Sequence, residues 1–124
     1  MIRIYRHTVL GPDQRVGRID PRTGKVFVSR VGPDKYIGRV NFESGKVYRV
    51  LVGPDDYVGR VNLINGKVYA EQFGPDEYVG RSHENGHIYR HAPVDFDDYV
   101  GKVIGSDNFA AGGAALLLFF LVEK

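Results

Sequence analysis

The sequence predicts an all-β protein with one C-terminal α-helix: a closed antiparallel β-barrel of about ten strands, with the apolar helix plugging its lumen. Three observations carry that expectation. Gly-Pro-Asp recurs at Gly11, Gly32, Gly53 and Gly74, 21 residues apart each time, which marks an internal repeat. The opening RIYRH (Arg3 to His7) matches HIYRH (His87 to His91) inside the fourth unit, and the late DDYVGKVI (Asp97 to Ile104) matches the start of a unit. Beyond it lies one apolar run, Phe109 to Val122, that no polar residue interrupts.

In chain order, the first strand is the second half of a unit whose first half is absent. Four whole units follow. Each reads as a Gly-Pro-Asp turn, an alternating strand such as YIGRV, a short turn ending in Gly, and a second alternating strand such as KVYRV. Pro pre-sets its own φ in the first turn, and Asp accepts from backbone N–H groups further on. In RTGK, ESGK, INGK and ENGH, Gly stands where a type I turn with a G1 bulge needs positive φ. The last strand is a first half without its second, so the two half units make a fifth hairpin, and the first and last strands pair to close the ring without exposed edges. The fourth unit is one residue shorter between Gly74 and Gly86 than the third between Gly53 and Gly66, a deletion its turn must absorb.

The same turn type assigns the faces. Val40 opposes Tyr48 and Gly38 opposes Val50, which puts Tyr36, Gly38, Val40, Tyr48, Val50 and Val52 inside, with Ile19, Phe27, Val61, Tyr69, Tyr89, Val103 and Tyr5 as counterparts. Gly17, Gly38, Gly59, Gly80 and Gly101 leave room beside the aromatic rings and curve the sheet. Ile37, Val47 and Leu51 then fall on the outer face, a surface for self-association.

The chain reads as a single domain, 1–105 forming the repeat barrel and 106–124 the helix, with Ser106 or Asp107 as the N-cap. A helix apolar all round must be buried. The 14 residues from Phe109 to Val122 reach about 21 Å, short of the roughly 30 Å of a bilayer core. The plug is therefore preferred, Ala110 to Ala115 in the narrow part and Leu116 to Val122 in the wide part, over a tail docked in a bilayer or a membrane partner.

The chemistry is sparse. With no Cys, disulfides and thiolate metal sites are excluded. A net charge of +2, spread through the repeats, argues against nucleic acid. The first residues lack the charged head and apolar run of a signal peptide, which points to the cytoplasm, with membrane association through the tail as the alternative. Arg18, Arg39, Arg60, Arg81 and Lys102 hold equivalent positions, so a closed ring displays five cations at one level: a candidate anion-binding ring, or surface pairs with Asp13, Asp34, Asp55, Asp76 and Asp98. His83, His87 and His91 are weak metal candidates, His87 standing where other units carry Lys. Asp95, Asp97 and Asp98 lack the spacing of an EF-hand and read as a solvated turn. Tyr5, Tyr36, Tyr48, Tyr69 and Tyr89 could stack bases or sugars if exposed, but their strand spacing reads as core. No nucleophile stands beside a base and no Gly-rich phosphate loop joins strand to helix. The function expected is a non-catalytic structural or binding module without a cofactor.

Overall fold

The computed structural model describes residues 1–92, 94 and 96–121; Asp95 and Val122 lie outside the described residues. Ten antiparallel strands form one closed barrel: Ile2–Arg6 (β1), Gln14–Ile19 (β2), Lys25–Val28 (β3), Lys35–Val40 (β4), Lys46–Arg49 (β5), Asp56–Val61 (β6), Lys67–Ala70 (β7), Glu77–Ser82 (β8), His87–Arg90 (β9) and Asp98–Ile104 (β10). Each strand pairs with its neighbours in sequence, and β1 closes the ring on β10 with Ile4 opposite Val103 and Tyr5 opposite Lys102. The two half units thus form the fifth hairpin.

The hairpin register differs by one residue from the sequence expectation. Val40 opposes Val47, Arg39 opposes Tyr48 and Gly38 opposes Arg49. The cause is the turn. Asn41 N donates to Lys46 O at 2.9 Å and Gly45 N to Asn41 O at 2.8 Å, so four residues form the loop, and Gly45 takes φ 80° at its last position. Asn41 Oδ1 holds the turn by accepting from Glu43 N and Ser44 N, at 2.8 and 3.0 Å. The three-residue type I plus G1 form occurs only in the shortened fourth unit, where His83 N donates to His87 O and Gly86 N to His83 O. Its shorter turn keeps Ser82 opposite Ile88, so the deletion is absorbed without a slip.

A one-residue change of register turns the second strand over. Val47, assigned to the outer face from sequence, is fully buried, while Tyr5, Phe27, Tyr48, Tyr69 and Tyr89, assigned to the inner face, lie outside, partly exposed, and Tyr36, on a first strand, is turned outward by the bulge at Ile37. Two inner rings result, Ile4, Val26, Val47, Val68 and Ile88 alternating with Ile19, Val40, Val61, Ser82 and Val103, none more than 4% exposed. Val52, expected inside, is fully exposed in a loop. Between hairpins every ladder carries a bulge, such as Val26 opposite Gly38 and Phe27 opposite Tyr36 with Ile37 left over. Five such bulges bend the sheet into a closed ring.

After β10 the chain turns inward. Asn108 is the N-cap, its Oδ1 accepting from Ala110 N at 2.7 Å, while Ser106 Oγ accepts from Asn108 N; the cap expected at Ser106 or Asp107 is thus displaced to Asn108. Phe109–Ala115 is α-helical (α1), and Leu116–Phe120 continues it as a π-helical segment, with Leu121 N donating to Leu116 O at 3.1 Å. Ala110 to Phe120 are all buried inside the barrel. A side-chain carbon added to Gly59 would meet Leu117 Cδ1 at 3.0 Å, one on Gly38 would meet Leu118, and Gly17, Gly80 and Gly101 stand likewise against Phe119, Leu116 and Phe120. The strand glycines make room for the plug, not for neighbouring tyrosines. Nearer the helix start, Gly113 packs against Val61 and Gly112 against Ser82.

Two changes probe this packing. Gly59→Ala pushes a methyl into Tyr69 O and Leu117, and a loss of about 1–3 kcal/mol is expected in denaturant unfolding. A chain ending at Asp107 leaves the inner rings unfilled and should lose its cooperative thermal transition; a sigmoidal melt at an unchanged midpoint would contradict the plug's structural role.

Candidate functional site

The plug decides where a ligand can go. Because Ala110 to Phe120 fill the lumen, binding chemistry belongs to the outer wall and the two ends. The end carrying the hairpin turns is the turn end, where Phe109 enters beside Ile64 and Asn85. The opposite, loop end carries the Gly-Pro-Asp loops, and there Leu121 lines a cavity with Ala70, Val79 and Arg90.

On the outer wall, four of the five cations of the expected ring are engaged by the repeat itself. Arg18, Arg39 and Arg60 donate through Nε to Asp34, Asp55 and Asp76 of the next hairpin at 2.8, 2.7 and 3.2 Å, and Lys102 reaches Asp13 at 3.6 Å across the closing seam. The guanidinium groups lie over Phe27, Tyr48 and Tyr69, 4.0 to 4.3 Å from the ring centroids, and Lys102 lies 6.0 Å from Tyr5. These four side chains link one hairpin to the next. The fifth, Arg81, holds the same level opposite Tyr89, while Asp97, which aligns with Asp76, pairs with His91. The tyrosines form cross-strand pairs, Tyr48 with Tyr57 and Tyr69 with Tyr78, at 5.7 and 5.8 Å. Desolvation raises the pKa of Tyr57, Tyr78 and Tyr99 above the ordinary phenol value.

The histidines are spread along the wall. His87 and His91 do share the outer face of β9 and its extension, but His83 packs edge-on to Tyr89, His87 against Tyr99 and His91 against Tyr78. Among the described residues, no three metal-ligating side chains form a group. Asp97 accepts from Ala92 N and contacts His91 Nδ1, and Asp98 faces Arg90 at 3.6 Å. Both acids are thus engaged by neighbours at the two ends of the last loop.

At the loop end, the plug's terminal carbonyls lack intrahelical donors, and cations projecting inward supply them. Arg49 Nη2 points at Leu117 O, 3.5 Å away, Arg90 Nη1 donates to Phe120 O at 3.1 Å, and Arg6 lies over the Phe120 ring at 5.3 Å. Around them stands the surface that the sequence reading missed. Leu10, Val31, Val52, Phe73 and Val94, one per loop, are each at least 91% exposed. Val9, Leu51 and Phe96 add to this crown. The signal was present: an apolar residue precedes every Gly-Pro-Asp, at the place where a loop tip ordinarily carries a polar one.

No known protein family, curated protein or solved structure matches the chain. Among the described residues, no helix is long and apolar enough to cross a membrane.

One titration is expected to register in stability. Desolvation first, then Arg81 and His87, hold the His83 pKa below its ordinary 6.5. The fold therefore prefers neutral His83: its contribution is complete above the unfolded-state value and is lost as pH falls through the folded one. The melting temperature should drop on mild acidification, and His83→Gln should flatten that part of the profile.

Proposed function

We propose that the protein is a cytoplasmic, non-catalytic binding module whose recognition surface is the crown at the loop end of the barrel. The observation that carries this reading is the exposure of Leu10, Val31, Val52, Phe73 and Val94, 91% or more at each. An exposed apolar side chain at a single loop tip needs no explanation, but the same choice in all five loops puts a ring of apolar contacts on one end of the molecule. Interfaces set an apolar centre within a polar rim, and exposed charged residues border the first four loops. The absence of catalysis from this reading rests on the repeat itself. Near-identical units distribute like residues around the wall, whereas an active site requires unlike groups converging on one point.

The test is a variant with Leu10, Val31, Val52 and Phe73 all replaced by Ser. Because these side chains touch little in the fold, the melting temperature should stay close to that of the parent, within about 0.5 kcal/mol of stability per site. Retention on a phenyl-substituted matrix should fall sharply. Unchanged retention, or a collapsed fold, would refute the crown as a recognition surface.

A further inference from the structure

The charges around the crown point to its occupant. At the first two loops and the strand starts that follow them, Arg15, Arg30 and Lys35 are exposed; at the third and fourth, Asp56, Glu71 and Glu77 are. None of the six is in an ion pair among the described residues, in contrast to the deeper level of the wall, where Asp13, Asp34, Asp55 and Asp76 are all matched. Arg30 Nε is satisfied by Pro33 O within its own loop, leaving its charge uncompensated. The loop end is therefore an apolar ring with a basic arc on one side and an acidic arc on the other.

We infer that the crown docks a second copy of this chain, loop end to loop end, with the basic arc of each copy on the acidic arc of the other. This rests on the reading of the crown as a recognition surface, and it names the partner. A two-fold axis lying in the plane of the crown exchanges the arcs, so each complementary contact is made twice, as an isologous dimer requires. The order of the loops around the ring fixes that axis. It passes through the fifth loop and through the gap between the second and third, so the first loop of one copy meets the fourth of the other, and the second meets the third. Leu10 then faces Phe73, Val31 faces Val52, and Val94 faces its own counterpart, while the rim charges set the rotation. No apolar tip is left against a charged arc. An anionic lipid surface fits less well, because the acidic arc would be pressed against like charge. A neutral bilayer has no use for the arcs.

Sedimentation equilibrium of the full chain tests this. The parent should be in a concentration-dependent monomer–dimer equilibrium that weakens with added salt. Reversing the basic arc (Arg15→Glu, Arg30→Glu, Lys35→Glu) or the acidic arc (Asp56→Lys, Glu71→Lys, Glu77→Lys) should weaken self-association by roughly tenfold or more, since each variant then sets like charge on like. Mixing the two reversed proteins should restore association as a heterodimer, because one offers two acidic arcs and the other two basic arcs. A chain carrying both reversals should dimerise like the parent. Those two recoveries, together with an unchanged melt for every variant, support the arrangement. A parent that stays monomeric at every concentration overturns it, as does a mixture or a double reversal that fails to recover. If the monomer instead co-sediments with phosphatidylcholine vesicles through the crown, the second copy is refuted while the recognition surface stands. The same holds if serine substitution abolishes phenyl-matrix retention and the parent forms no dimer.

Discussion

Five bare positions on the inner wall and five consecutive large side chains on the plug hold this molecule together. Gly17, Gly38, Gly59, Gly80 and Gly101 lie at one level of the barrel, and Phe119, Leu118, Leu117, Leu116 and Phe120 fill the space each leaves. Neither partner makes sense alone. Without the plug the glycines are a destabilising choice for strand interiors, and without the glycines the lumen is too narrow for leucine and phenylalanine. The tyrosine–arginine ladder outside, the bulges between hairpins and the arginines at the loop end are arranged around that contact.

The plug's geometry answers to the ring's symmetry. Leu116, Leu117, Leu118 and Phe119 meet the glycines of successive hairpins, stepping backward along the chain from Gly80 to Gly17, and Phe120 completes the circuit at Gly101. Visiting five stations in five residues asks for about 72° per residue, against about 100° in an α-helix. A π-helical segment, wound more loosely, comes closer, and the change from α to π falls at the residue where the glycine level begins. The wall departs from its repeat where the helix does. Ser82 replaces a branched aliphatic residue where Gly112 approaches, and of the equivalent inward positions Arg6, Val28, Arg49, Ala70 and Arg90, two of the arginines are directed at helix carbonyls.

The architecture was legible because it is written in repetition: Gly-Pro-Asp at a fixed interval, matching half units, and an apolar run too short for a bilayer. The face assignment was not. It depended on whether Asn41 belongs to the strand or to the turn, a choice between a three- and a four-residue loop that both use Gly in the last position, and that single residue decides whether Val47 or Tyr48 is inside. The cation ring was found at the right positions, with its aspartates one hairpin away, since sequence proximity says nothing about which neighbouring loop leans over the wall. The crown was passed over because residues before Gly-Pro-Asp look like strand ends until the strands are seen to stop short of them.

The connection from β10 to the plug gives the fold a temporal character. Only Gly105 to Asn108 separate the strand that closes the ring from the helix that fills it. An arc running from β1 to β9 has two open edges and an apolar concave side, and the segments that cover them, β10 and the plug, both follow it in the chain. Both needs are met by adjoining stretches of chain. Sealing the circle and emptying it of water are thus tied to the same late arrival, and a half-built barrel with one defect cured and the other left has little range in which to persist.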